Sequence, residues 1–177
     1  MQAWRGFYEG LNTVIVNPGV ILGVGDWSKG TCKLFKLIDK GLAFYTNGLS
    51  GYIGVEDVAK TMDILVESEV KGERFVLVSE NISYKALFDE MAKYLEKRPP
   101  YIYANYFLRQ TVVTLDYMKS LLFMKERTYS DEFARLAASV SRYSSNKFID
   151  KFQYSFEPIS ETIKKTCTFF KEDKARV

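Results

Sequence analysis

The stretch from Leu11 to Trp27, LNTVIVNPGVILGVGDW, does most to restrict what this chain can fold into. Thr13–Val16 reads as a strand that is apolar on successive positions, not on alternate ones. That pattern suits a strand covered on both faces, as in a parallel sheet flanked by helices. Pro18 cannot donate a ladder hydrogen bond, so the strand is expected to end there. A second apolar run then enters a loop bearing Gly23 and Gly25. In a doubly wound α/β sheet, ligands sit at the carboxyl ends of strands. The same stretch is therefore the first candidate for the core and the first candidate for a site.

The flanking segments agree with an α/β chain. Trp4, Phe7 and Tyr8 recur at helical spacing before Gly10, a natural helix stop. A short helix is expected around Leu34–Lys40. Leu42–Tyr45 and Tyr52–Val55 read as short strands around Asn47-Gly48, a strong hairpin dipeptide. Glu56–Glu67 reads as a helix with Val58, Met62 and Leu65 inward and with Glu56 and Asp57 complementing its dipole. Arg74–Ser79 is a second apolar strand. Ser83 is placed to cap a helix facing inward through Tyr84, Leu87, Met91 and Leu95, which Pro99-Pro100 ends. Tyr101–Met124 has the length of a membrane span, but Arg109, Asp116 and Lys119 interrupt it. It reads as an amphipathic helix that packs on this protein or on a partner, with membrane-surface contact as the other option. Ser130 caps a further helix with Phe133, Leu136 and Val140 inward. A short helix follows at Asn146–Phe152. Pro158 then opens a last one carrying Ile159, Ile163, Cys167 and Phe170 inward.

Charge and residue usage exclude several functions. A net charge of +3, spread in alternating signs, leaves no basic stripe for nucleic acid. The chain has no histidine and two cysteines far apart, Cys32 and Cys167. Imidazole acid–base chemistry is thereby excluded, and a structural zinc site has almost no ligands to draw on. The thiols read as free, in a reducing compartment, and no basic-then-apolar leader opens the sequence. A cytoplasmic protein is the expectation.

Some constellations compete for a functional reading. Gly23-Val24-Gly25 after a strand imitates a dinucleotide fingerprint, but Ser28 stands where the third glycine belongs. Tyr143 and Lys147 have Tyr-x-x-x-Lys spacing, yet Ser144 and Ser145 beside them mark a capped helix start, and the pair reads as structural. Asn17 either turns its amide into a crevice or satisfies its own turn. Trp27, Lys29 and Lys33 form a loop able to meet an anionic or aromatic ligand, or to remain solvated.

The order VIVNPGVILGVGDW, SGYIGVEDVAKTM, GERFVLVSENISYKALFDEMA, YSSNKFIDKF and EPISETIKKT resembles the extended short-chain dehydrogenase/reductase family. Within it, the chain is most similar to the NAD-dependent epimerase/dehydratase branch, near its dihydroflavonol-reductase-like members. The resemblance implies the C-terminal part of a Rossmann-like doubly wound sheet plus a mainly helical substrate-binding lobe. Residues 1–25 would be the last part of the Rossmann core and 26–177 the lobe, with 56–80 returning to the sheet. The family's glycine-rich phosphate loop and catalytic Tyr-x-x-x-Lys are not matched in this sequence; Met1–Gly10 resembles the tail of the helix that carries the latter, which would lie just before Met1. No catalytic residue is therefore assigned. By resemblance Pro18, Gly19, Val20 and Ile21 border the nicotinamide of NAD or NADP. Asn17 and Tyr52 face the substrate, to which the loop residues Trp27, Lys29 and Lys33 are added. The implied function is that of the substrate-binding portion of a sugar-nucleotide epimerase/dehydratase or a ketone/alcohol reductase, inactive alone. Its implied partners are a small-molecule substrate and either a second copy of the chain or the absent amino-terminal half. The rival reading is a non-catalytic interaction protein that docks a partner through an open sheet edge and the 101–124 helix.

Overall fold

The computed structural model describes residues 2–105 and 139–176. Most of the segment expected to form the Tyr101–Met124 helix, and the helix expected after Ser130 up to residue 138, lie outside these residues. Helix α1 (Gln2–Tyr8) leads into β1 (Val14–Pro18), which continues after Gly19 as β2 (Val20–Leu22). Next come α2 (Cys32–Asp39), β3 (Phe44–Tyr45), β4 (Leu49–Gly54) and α3 (Val55–Glu67). Strand β5 (Glu73–Leu77) runs on into β6 (Glu80–Ser83), α4 (Tyr84–Leu95) and β7 (Ile102–Tyr103). Helices α5 (Asn146–Phe152) and α6 (Ile159–Ala175) complete the described chain. The fold is mixed α/β with parallel pairing, as the apolar runs require.

Strands β1 and β5 pair in parallel, with Val16 opposite Phe75. Strand β4 is the centre of a second sheet, parallel to β2 and antiparallel to β6. Successive side chains of a strand point to opposite faces, so Tyr52 and Ile53 of β4 enter two different cores. The larger core packs α2, α4 and α6 on the β2–β4–β6 sheet through Leu22, Phe35, Leu87, Met91, Ile163 and Phe170. The smaller packs α3 and α5 on β1–β5 through Leu65, Phe75, Leu77 and Phe148. Phe75 and Phe148 meet edge-to-face at 5.7 Å.

The two sheets meet where the chain crosses itself. The Gly19 N–H donates to Leu77 O at 2.9 Å, and Ser79 N–H donates to Tyr52 O at 2.8 Å. A Cβ on Gly19 would stand 2.4 Å from Gly51 O, and one on Gly51 would stand 2.8 Å from both Val78 methyls. Ser145 locks the crossing from above: Val78 N–H donates to its Oγ at 2.6 Å, and the hydroxyl donates to Val78 O at 2.8 Å. Both Val78 and Ser145 are buried.

Four expectations are corrected. Ile102–Tyr103, expected to open the helix that starts at Tyr101, form strand β7 instead. Strands β3 and β4 do not form a hairpin across Asn47-Gly48. Instead β3 pairs in parallel with β7, and β4 pairs with β2 and β6, because β4's apolar residues are satisfied only between them. Met62 is half exposed, and α3 turns Asp57, Thr61 and Leu65 inward in its place. Val140 is exposed and lies in an isolated bridge with Leu49, not on an inward helix face. The remaining elements agree with expectation. Ser83 Oγ accepts from Ala86 N–H at 3.1 Å, capping α4. Helix α6 buries Ile159, Ile163, Cys167 and Phe170, and Pro158 is its cap. Both cysteines are free. Among the described residues no helix is long and apolar enough to cross a membrane.

The crossing generates a stability prediction. Gly19→Ala should destabilise the protein by about 1–3 kcal/mol, because backbone cannot move aside as a side chain could. Urea unfolding of both forms measures it, and an unchanged midpoint would mean the crossing is looser than described. A second prediction concerns acid. Asp39 receives Lys174 at 2.7 Å and Lys97 at 3.5 Å, and the Lys174 hydrogen bond foremost holds its carboxyl below the ordinary value of 3.8. A depressed folded pKa adds stability above the unfolded pKa and loses it as pH falls through the folded one. Asp39→Asn should therefore lower Tm at pH 6, with the gap closing below pH 3.8. A gap that is constant with pH would exclude the linkage.

Candidate functional site

At the carboxyl end of β1 the chain leaves one sheet for the other and opens a groove of about 300 Å³. Its lining is Asn17, Pro18, Gly19, Val20, Ser50, Val76 and Tyr143. The sequence dictates this shape locally. Pro18 ends the β1 ladder, and Gly19 permits the close crossing. Val76 faces the groove because Phe75 and Leu77 on either side of it face the core. The Asn17 amide is exposed and the Ser50 hydroxyl half-buried, and neither has a hydrogen-bond partner among the described residues. The result is an apolar trough with unspent polar groups at its rim, the usual make-up of a small-molecule site.

Four of the residues expected to meet a ligand, Asn17, Pro18, Gly19 and Val20, thus come together. Ile21 follows on β2, at the edge of exposure. The other four stand elsewhere. Trp27 packs edge-to-face on Phe170 at 4.9 Å and on Phe35 at 6.1 Å, and its indole N–H donates to Asp173 Oδ2 at 2.9 Å. Lys29 is exposed and pairs with Asp26 at 3.4 Å. The Ser28 hydroxyl and N–H hold the Asp26 carboxyl below its ordinary value. Lys33 is half-buried in the first turn of α2. Tyr52 is fully buried in the larger core, where its hydroxyl has no hydrogen-bond partner among the described residues. Burial pushes this phenol far above its usual range, and the neighbouring Tyr84 adds to the effect.

The competing constellations resolve into packing. A Cβ on Gly23 would meet Val55 Cγ1 at 2.4 Å, so this glycine admits the start of α3. The next helix, α2, begins only at Cys32, and no phosphate cradle forms. Tyr143 lies outside α5, while Lys147 turns to Glu73 at 2.9 Å, so the two share no helical face. Ser50 and Tyr143 are the groove residues that sequence reasoning did not place there. Only the register of β4 and the pinning of residue 143 bring them in. Asp57 lies in the first turn of α3, as expected of a helix-dipole residue, and is also buried, accepting from Tyr154 Oη at 2.6 Å and from Glu157 N–H at 2.8 Å.

A second groove of about 330 Å³ lies between α3 and α6. Its cation, Lys165, is already held by Glu157 at 2.6 Å and Glu56 at 3.5 Å, so it offers no charge to a ligand. For a dinucleotide, the first groove fits the nicotinamide end alone. Pro18, Val20 and Val76 give a planar ring its apolar wall, and Asn17 gives an amide. The Gly19 N–H is committed to Leu77 O, and the 177-residue sequence holds no glycine-rich helix start to take a pyrophosphate.

No protein-family model and no curated protein matches the chain. Solved structures do. A nucleoside-diphosphate-sugar epimerase from Pseudomonas aeruginosa superposes at a TM-score of 0.73 and 19% identity, over 97% of this chain and 52% of that one. The dTDP-glucose 4,6-dehydratase of Bacillus anthracis, in complex with NAD, gives 0.68 and 10%, over 99% and 50%. The UDP-glucose 4-epimerase of Thermus thermophilus, also with NAD, gives 0.64 and 15%, over 94% and 49%. The chain spans about half the length of the solved structures it matches. Its fold is that of the carboxyl-terminal portion of the NAD-dependent sugar epimerases and dehydratases.

Proposed function

We propose that these residues form the substrate-binding portion of an NAD(P)-dependent sugar-nucleotide epimerase/dehydratase, or of a ketone/alcohol reductase of the same build. The observation that carries this is the groove at the end of β1, which gathers Asn17 and Pro18–Val20 on a fold shared with such enzymes. Pro18 to Ile21 border the nicotinamide end of the cofactor. The cofactor, when bound, supplies hydride acceptance and donation. Asn17 and the Ser50 hydroxyl orient the substrate beside it, and the apolar wall of Pro18, Val20 and Val76 keeps water from the reacting face. The Tyr52 phenol, expected to face the substrate, is fully buried in the larger core and is given no contact with it, and Trp27, Lys29 and Lys33 stand away from the groove. A proton donor and a pyrophosphate cradle are contributed from outside these 177 residues. The alternative is an interaction protein that docks through the free edge of β1, which has β5 as its one partner among the described residues.

Two measurements decide between them. The 177-residue chain should bind NADH and NADPH no more tightly than millimolar, since it lacks the anion-binding helix start. Calorimetric titration checks this, and micromolar affinity for either would overturn the division of labour. In a form that turns over, reconstituted with the amino-terminal half of a structural neighbour, Asn17→Ala should raise KM several-fold. Tyr52→Phe checks that the buried phenol plays no part: it removes a hydroxyl that has no partner among the described residues, so Tm should hold or rise and turnover should not change. Unchanged kinetics for Asn17→Ala would favour the interaction reading.

A further inference from the structure

Tyr143 sits in the same groove as Asn17, although neither its place in the sequence nor its spacing to Lys147 explains why. Its backbone is pinned at both polar groups by one side chain. The Asn81 amide donates to Tyr143 O at 2.8 Å, and Tyr143 N–H donates to Asn81 Oδ1 at 2.9 Å. Two residues on, Ser145 is locked to Val78. The ring is held over Gly51, where a Cβ would stand 3.1 Å from Tyr143 Cδ2. The ring is thus laid against bare backbone, yet 47% of the residue remains open to solvent. The residue lines the same groove as the Asn17 amide and the Ser50 hydroxyl, neither of which has a hydrogen-bond partner among the described residues.

We propose that Tyr143 is a specificity-determining residue, whose ring forms a stacking wall for the C–H face of a hydroxylated ring held by Asn17 and Ser50. The inference rests on the proposed function and adds to it the residue that selects a ring over an open chain. The chemistry is that of an amphipathic ring. Its hydroxyls need polar partners at the rim, and its C–H face gains from an aromatic plane. The phenol oxygen is not required for this, so phenylalanine should serve as well. The Tyr143 ring adds to the Val78 methyls as a reason for the glycine on β4: a Cβ there would stand 2.8 Å from Val78 and 3.1 Å from the ring.

Saturation-transfer NMR on the 177-residue chain, with millimolar UDP-glucose and with UDP alone, tests the idea. The expected result is transfer to the hexose protons, unchanged in Tyr143→Phe and weakened about three- to tenfold in affinity in Tyr143→Ala. Tyr143→Leu, which keeps bulk without the plane, should resemble Tyr143→Ala, and thermal melts establish that each variant folds. Hexose transfer that Tyr143→Ala leaves untouched while Asn17→Ala abolishes it would overturn the role of Tyr143 and leave the proposed function standing. Equal loss in Tyr143→Phe would also overturn the stacking wall, since it would assign the effect to the hydroxyl. No hexose transfer in the unaltered chain would overturn both.

Discussion

The fold depends on one close crossing of backbone. Gly19 and Gly51 let two strands and the Val78 corner approach to distances that any side chain would forbid. Around that point the chain can run from β1 to β2 and from β5 to β6 without a loop, so each apolar run serves two sheets in succession. The interior is close-packed, and a gap or clash of a methyl group is felt there. The buried Ser145 hydroxyl then uses both of its hydrogen-bonding roles on Val78, which leaves no main-chain group of that residue unpaired.

The groove is a by-product of the same geometry. When a strand passes from one sheet to another, its last residues lose their ladder partner on one side and turn toward solvent. Asn17 and Pro18 are exposed for that reason, directly after three half-buried aliphatic residues. A polar side chain costs little at such a place and can be kept for a ligand. The site therefore needs no strained backbone of its own, only a strand that ends in the right place.

Local elements were legible in the sequence because their signals are short-range. The Ser83 cap, the inner face of α4 and the spacing of Ile159, Ile163, Cys167 and Phe170 all follow from residues within a few turns. Half of the groove was legible too, since Asn17-Pro18-Gly19 announces a strand end. The other half was not. Ser50 enters through the pairing of β4 with β2, and Tyr143 through an Asn81 side chain sixty-two positions away. Asn47-Gly48 misled for the opposite reason: a good local hairpin was outweighed by the partners that β4 finds across the sheet. The first-turn place of Asp57 is legible, but its buried bond is not, because nothing nearby reveals Tyr154, its partner ninety-seven residues on.

Helix α6 joins the two ends of the molecule like a tie rod. Its first turn is fastened to the sheets, where Glu80 Oε1 accepts from Ile159 N–H at 2.9 Å and Glu157 meets Asp57. Its last turns grip Trp27 through Asp173 and α2 through Lys174. The rod's 17 residues span about 25 Å. The loop that carries Trp27 is thereby tied, through one helix, to the strand that carries Glu80. Anything that unseats the last turn frees that loop at a distance, so the seat of Trp27 is set in part by the final residues of the described chain.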